Sequence, residues 1–373
     1  MQRNPTSGDH RKCLDWLLAQ GLIRIRRGAL FDTHPGPVPQ GFDYDRVEGM
    51  MLGLAVGDAL GITTEGMLPE RRRELFGEIR DYLPNRYVNQ PIGFPSDDTQ
   101  LAFWTLEQMI ENGRFIPENV ARRFCRGRIF GIGSTVRRFI ANCKAGMPWY
   151  QCGPESAGNG ALMRIAPMVI PHLADGTDAL WVDTALSAMI THNDAGSIAA
   201  CLTFVAMLRQ LLVMDQAPSP SWWADTYVTT ARDLEGETQY QPRSGPLVGH
   251  FEGPMWKMVA ENVKAAHAGN LSVKDACALW YSGAYLLETV PSVIYILMRH
   301  GHDPEEAIVR AVNDTRDNDT VAAIVGAAVG ALHGKRHIPD RWIKNLSGRT
   351  TDRDDGKVFE LLGRAKETFM RAR

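Results

Sequence analysis

An all-α chain is what the sequence predicts, and three observations carry that reading. Thr99 to Glu111 places Ala102, Leu106, Met109 and Ile110 on one stripe and Leu101 and Trp104 on another, the pattern of a buried helix. Asp303-Pro304-Glu305-Glu306 reads as a helix start, with Asp303 at the N-cap, Pro304 at the first helical position and Glu306 reaching back as the reciprocal cap. Thr320 to Leu332 is a third helix, in which Gly326, Gly330 and then Gly334 recur every four residues. Each glycine weakens a helix by about 1 kcal/mol. Their use is therefore the close approach of a neighbouring helix backbone. No strong strand series appears in this region.

Taken in order, residues 1–42 read as an N-terminal extension and linker, and residues 43–373 as one domain. In the extension, Leu14, Leu17 and Leu18 fit a short helix ended by Gly21. The stretch IRIRR alternates like an edge strand, with Ile23 and Ile25 on one face and Arg24 and Arg26 on the other. THPGPVPQG follows as a stiff, extended linker. Such an extension either packs on the body or serves as an arm for a partner. Residues 214–250, with Pro218, Pro220, Pro242 and Pro246, read as a long surface excursion that lines a site.

Composition narrows the function classes. Apolar residues make up 44% of the 373, enough for a sizeable core. Basic and acidic residues number 41 and 43, so no cationic excess points to nucleic acid. The six cysteines are scattered without CxxC spacing, as expected of reduced thiols. The apolar run Val321 to Leu332 is too short to cross a bilayer, and MQRNPTSGDHRK lacks the apolar core of a signal peptide. These features predict a soluble, cytoplasmic monomer with no membrane or nucleic-acid partner.

Two acidic clusters carry the chemistry. FPSDDTQL (94–101) holds Ser96, Asp97, Asp98 and Thr99, and NDTRDNDT (313–320) holds Asp314, Asp317, Asp319 and Thr320. Each directly precedes a long apolar helix. Helix capping explains one carboxylate or hydroxyl at such a place; it does not explain several at two separate starts. Crowded carboxylates repel, and burial raises the cost. A divalent cation removes the conflict, and oxygen donors suit Mg²⁺ or Mn²⁺ better than zinc.

Five blocks now resemble the ADP-ribosylglycohydrolase family, in the family's order. They are GLAVGDALGITTEG (53–66), SDDTQL (96–101), GNGALMRIAPM (158–168), THNDAG (191–196) and RDNDTVAAIVGAAVGALHG (316–334). The resemblance implies an all-α orthogonal helical bundle with a dinuclear metal cleft. It assigns Ser96, Asp97, Asp98, Asp317, Asp319 and Thr320 as ligands of two Mg²⁺ or Mn²⁺ ions. Ser96 replaces the usual threonine, while Arg316 and Asn318 stand where the family has Gly and Thr. Arg316 adds a cation and bulk beside the metals.

The remaining blocks read as follows. Asp58 is either a capped carboxylate at a tight helix contact or one that fixes metal ligands and water. Asp97, Asp98 and Glu65 are the catalytic candidates. The resemblance places Gly158, Asn159 and Gly160 on the ADP-ribose, with His192 a further contact; Tyr285 stacks on adenine or belongs to the core. Arg164 reads as a contact or as a buried ion-pair partner.

The implied activity is hydrolysis of ADP-ribose from arginine side chains of modified proteins, a glycoside cleavage with an oxocarbenium-like transition state. The alternatives are serine-linked or small ADP-ribosyl substrates, or non-catalytic binding of ADP-ribose or a toxin. Some bacterial relatives are immunity proteins against ADP-ribosyltransferase toxins, and residues 1–42, with Arg24, Arg26 and Arg27, would be the toxin-binding arm.

Overall fold

Small residues determine how the centre of the molecule is built. The computed structural model describes residues 8–84 and 89–370. The helices that position the site are α1 (His10–Ala19), α2 (Asp45–Gly61), α3 (Asp97–Asn112) and α4 (Ala179–Thr191). They continue with α5 (Ala195–Leu211), α6 (Pro220–Glu235), α7 (Leu286–His300) and α8 (Asn318–His333). No sheet forms among the described residues, only isolated bridges such as Gly158 with Tyr285.

Helices α2 and α8 run antiparallel with their backbones in contact. A Cβ on Gly53 would overlap the carbonyl of Gly326, and one on Gly49 the carbonyl of Gly330. Gly57 sits against Ala322, and Gly61 against the backbone of Asp319. The glycines of α8 thus meet a second four-residue glycine series on α2. Both helices are buried along nearly their whole length. The segment Asp45–Thr64 is long and apolar enough to cross a membrane by length and composition, but most of it is buried inside the molecule.

Helix α3 begins at the first acidic cluster, with Ser96 as N-cap, and ends at Gly113 in the left-handed conformation. At Pro304, Asp303 caps as expected by accepting from the N–H of Glu306 (3.1 Å). The reciprocal half of that cap does not form. The Asp303 N–H already donates to His300 O (2.9 Å), and the Glu306 carboxylate pairs with Arg80 and Arg310 (both 2.8 Å).

The N-terminal segment lies against the body. Helix α1 buries Leu14 and Leu17, and Gly21 follows it at φ +63°. IRIRR is not a strand. Among the described residues no neighbouring strand is offered to it, and its backbone makes single contacts, such as Arg26 N–H to Leu234 O (3.0 Å) at the end of α6. The proline-rich stretch is extended but packed: Val38 N–H donates to Leu173 O (2.8 Å), and Arg209 donates to Gly36 O (2.7 Å).

Within the expected surface excursion at 214–250, residues 220–235 form a helix and the rest is loop. α6 starts with Pro220 in its first turn and is ended by Gly236 at φ +76°. Only the loop beyond Gly236 reaches the site. The six cysteines are free thiols.

Candidate active site

The α2–α8 seam brings three carboxylate sources to one place. Asp58, on the last turn of α2, accepts from the N–H of Ser96 (2.9 Å) and from both the N–H (3.0 Å) and hydroxyl (2.6 Å) of Thr99. It therefore caps the start of α3 from outside and locks that helix onto α2. Oxygens of Asp58, Asp98 and Asp319 lie within 4.8 Å of one another, and so do oxygens of Glu65, Asp317 and Asp319. Asp319 is common to both groups.

Local hydrogen bonds orient the oxygens. Ser96 Oγ donates to Asp98 Oδ2 (3.0 Å), and Asn159 Nδ2 donates to Asp317 Oδ2 (2.6 Å). The N–H of Thr320 donates to Asp319 Oδ1 (2.9 Å). Asn318 turns inward and donates to Gly61 O (3.1 Å) and Thr64 Oγ1 (3.0 Å). It fastens the second acidic loop to the end of α2. Buried Arg72 does the same on the other side, donating to Thr64 Oγ1 (3.0 Å) and Thr315 O (2.8 Å).

Burial, and then mutual repulsion, push Asp97, Asp98 and Asp319 well above the ordinary carboxylate range, and burial raises Asp58. Asp317 rises for the same first reason, against the opposing hydrogen bond from Asn159. Glu65 stands at the exposed edge, where partial desolvation and the nearby Asp58 raise it. Asp98 Oδ1 is buried without a hydrogen-bond partner. An orphaned buried oxygen among like charges is costly, and a hard divalent cation satisfies it. The donor set, all carboxylates and hydroxyls, fits Mg²⁺ or Mn²⁺.

A cleft of about 670 Å³ opens onto these groups, and Glu65, Asp97, Asp98, Asp317, Asp319 and Thr320 all line it. Ser96 lies just beneath, hydrogen-bonded to Asp98. One wall is the loop at 126–133. Gln100 fixes that loop by donating to Arg128 O (3.1 Å) and accepting from Phe130 N–H (2.9 Å). Gly131, at φ +59°, then passes so close to Asp97 that a Cβ would stand 3.0 Å from its Oδ1.

A second wall carries Gly158, Asn159, Gly160, His192 and Tyr285 together. His192 is buried and shares a hydrogen bond with Thr191 Oγ1 (2.9 Å). Its ring packs on the glycines, where a Cβ on Gly160 would come within 2.8 Å. Burial and Arg164 lower its pKa to about 3, so the ring is neutral. Tyr285 lines the cleft with one ring face under the Arg243 guanidinium, 4.0 Å away.

Two residues stand differently from the sequence reading. Arg316 does not point at the carboxylates; its guanidinium stacks on the ring of Tyr281 at 3.9 Å. Arg164 has no ion-pair partner among the described residues and donates to Ser187 O (2.8 Å) and Thr191 Oγ1 (2.9 Å) instead. Several cleft residues carried no sequence signal, Ser134, Thr135, Glu155 and Glu288, whereas Arg243 lies in the 214–250 segment read as site-lining. They are single polar residues on elements brought together only by the fold.

The sequence profile of the ADP-ribosylglycohydrolase family matches residues 40–369. The chain is 26% identical to the ADP-ribosylarginine hydrolase Tri1 of Pseudomonas putida, over 81% of this chain and 74% of that protein. It is 27% identical to the ADP-ribosyl-[dinitrogen reductase] glycohydrolase of Rhodospirillum rubrum, over 86% of this chain and 97% of that one. A solved structure described as an ADP-ribosylglycohydrolase-related protein complex superposes with a TM-score of 0.62 at 26% identity, covering 88% of this chain and 98% of the other.

Proposed function

The chain belongs to the ADP-ribosylglycohydrolase family, and on that premise we propose that it removes ADP-ribose from arginine side chains of modified proteins with the help of two Mg²⁺ or Mn²⁺ ions. Hydrolysis of an ADP-ribosyl glycosidic bond comes with family membership. The arginine linkage is supported by the names of two relatives, an ADP-ribosylarginine hydrolase and an ADP-ribosyl-[dinitrogen reductase] glycohydrolase. The observation that carries the metal reading is the pair of carboxylate groups sharing Asp319, with Asp98 Oδ1 left unpartnered.

In this reading Ser96, Asp97, Asp98, Asp317, Asp319 and Thr320 hold the ions, with Asp58 bracing Ser96 and Thr99 behind them. Bound divalent ions would supply Lewis-acid chemistry, orienting ribose hydroxyls and acidifying water. The residues of the chain do the rest. Gly158 and Gly160 let the backbone approach the diphosphate, while Asn159 ties that loop to Asp317. Neutral His192 offers a hydrogen-bonding edge without a charge, and Tyr285 offers a flat face.

Asp97 and Glu65 both border the cleft, so either is placed to take a proton from the attacking water or to help the guanidine leave. Direct attack by water inverts the anomeric carbon. The anomer released first should therefore be the inverted one, and clean retention would count against direct attack.

A role in toxin immunity, with the protein in the cytoplasm, is a further part of the proposal and rests on the resemblance. Binding of a toxin through residues 1–42 would require Arg24 and Arg27 to leave Glu155, Asp15 and Asp32, with which they pair in the free protein. The test of the central reading is a comparison of proteins bearing arginine-linked and serine-linked ADP-ribose. Release from the arginine linkage alone is expected. Faster release from serine would move the substrate, and tight ADP-ribose binding without release would make the protein a binder.

A further inference from the structure

Asn193 is grasped from two sides by the N-terminal segment. Its side-chain amide donates to Leu22 O (2.8 Å), and its side-chain oxygen accepts from the N–H of Arg24 (3.0 Å). Residues 22–24 thus run past this side chain as a strand runs past a partner. The backbone N–H of Asn193 donates to Pro154 O (3.0 Å), at the start of the stretch that continues into the Gly158–Gly160 loop. Arg24 also meets Glu155, on the cleft rim, at 3.0 Å.

The neighbours of Asn193 face both parts of that wall. His192 packs on Gly158 and Gly160. Asp194 caps α5 and accepts from the hydroxyl of Tyr240 (2.8 Å), whose ring packs edge-on against Tyr285 at 6.4 Å. One amide therefore connects the N-terminal segment to the histidine and to the aromatic pair.

The segment is fixed on either side of this clasp. Upstream, His10 bonds Asp183 (2.5 Å) and Arg11 pairs with Asp178, both at the start of α4. Downstream, Arg26 N–H donates to Leu234 O (3.0 Å), Ala29 N–H donates to Asp233 (2.5 Å), and Phe31 is fully buried. Anchors this close leave residues 22–24 little freedom to slide.

We infer that residues 22–24 are a positioning element of the cleft: through Asn193 they set where His192 and Asp194 stand, and so how tightly the ADP-ribosyl group is held. The identity of that ligand rests on the function proposed above. The Arg24–Glu155 pair contributes little, because both side chains are more than half exposed (55% and 60%). The amide clasp carries the effect.

The full-length chain tests this. Arg24→Pro removes the N–H that Asn193 accepts; Asn193→Ala removes both bonds but keeps the ion pair. Arg27→Ala, on the same segment but paired, among the described residues, with Asp15 and Asp32, is the control. The measurements are the ADP-ribose Kd, KM and kcat for arginine-linked substrate, and the imidazole NMR resonances of His192. Arg24→Pro and Asn193→Ala should each weaken ADP-ribose binding about fivefold or more, the worth of one hydrogen bond. KM should rise while kcat stays within about twofold, the mark of a lost binding interaction. His192 should shift in Arg24→Pro, and Arg27→Ala should match the wild type.

A folded Arg24→Pro with wild-type affinity and unmoved His192 resonances overturns the inference. Should Arg24→Pro fail to fold, Asn193→Ala decides by its affinity. If the wild type binds no ADP-ribose, the functional reading falls, and the His192 resonances alone decide the positioning role, in Asn193→Ala where Arg24→Pro does not fold.

Discussion

Asp98 holds one buried carboxylate oxygen without a partner, a short distance from Asp58 and Asp319. In the absence of metal, folding forces this group either to keep its charge among like charges or to take up a proton. Asparagine avoids both. Asp98→Asn should therefore stabilise the metal-free protein by roughly 1 to 3 kcal/mol while abolishing stabilisation by added Mn²⁺. Thermal unfolding with chelator and with Mn²⁺ checks both signs. Glu235, far from the ligands, gives a pH prediction. Burial pushes its carboxyl up to about 7, against hydrogen bonds from Thr238 and the N–H groups of Met255 and Trp256. Its folded pKa lies above the unfolded value, so the folded state binds the extra proton. Stability should fall as pH rises from about 4.5 to about 7 and level off above. Glu235→Gln should flatten that slope in urea titrations at several pH values. At this scale the acidic residues were legible because several oxygens before a buried helix exceed what a cap needs. Arg316 was not: its stacking on Tyr281 depends on where a distant loop lies, which spacing along the chain does not encode.

The seam between α2 and α8 is the element that assembles the site, since Asp58 and Asp319 sit at its end. A methyl group at Gly326 would strike the carbonyl of Gly53, and neither backbone can retreat without moving both acidic loops. Gly326→Ala should cost about 3 kcal/mol or more and weaken Mn²⁺ binding together with stability. Gly363 is the control. It lies in the helix Lys357–Phe369 with open space where a Cβ would be, so Gly363→Ala should stabilise by about 0.5–1 kcal/mol. Calorimetric unfolding of both variants distinguishes packing from propensity. The glycine series on α8 was readable because four-residue spacing marks one helix face. Elsewhere local pattern misled. IRIRR alternates, but a strand needs a neighbour, and its backbone instead bonds to a helix end and to Asn193. The prolines of 214–250 suggested a loop, although Pro220 in the first turn and Gly236 after the last are equally the marks of a helix start and stop.

Across the whole molecule, the acidic starts of α3 and α8 lie more than 200 residues apart in sequence and meet only because α2 holds both. Their order and composition were visible in the chain, and so was the family they belong to. Single polar residues of the second wall, Glu155 and Glu288, were not, because they arrive from a loop and from the first turn of α7 and meet only through the fold. Cation binding should then be a property of the folded state alone. At a metal concentration one hundred times Kd it should stabilise the protein by about 2.7 kcal/mol, read as a metal-dependent rise in Tm that chelator reverses. The measurement closest to the central claim is release of ADP-ribose from arginine-modified protein, with Mg²⁺ or Mn²⁺ and with chelator, for the wild type and for Asp97→Ala/Asp98→Ala. Metal-dependent release by the wild type, lost in chelator and in the double variant, is the expected result. Release that survives chelation, or that the double variant retains, would contradict a catalytic role for the cation site.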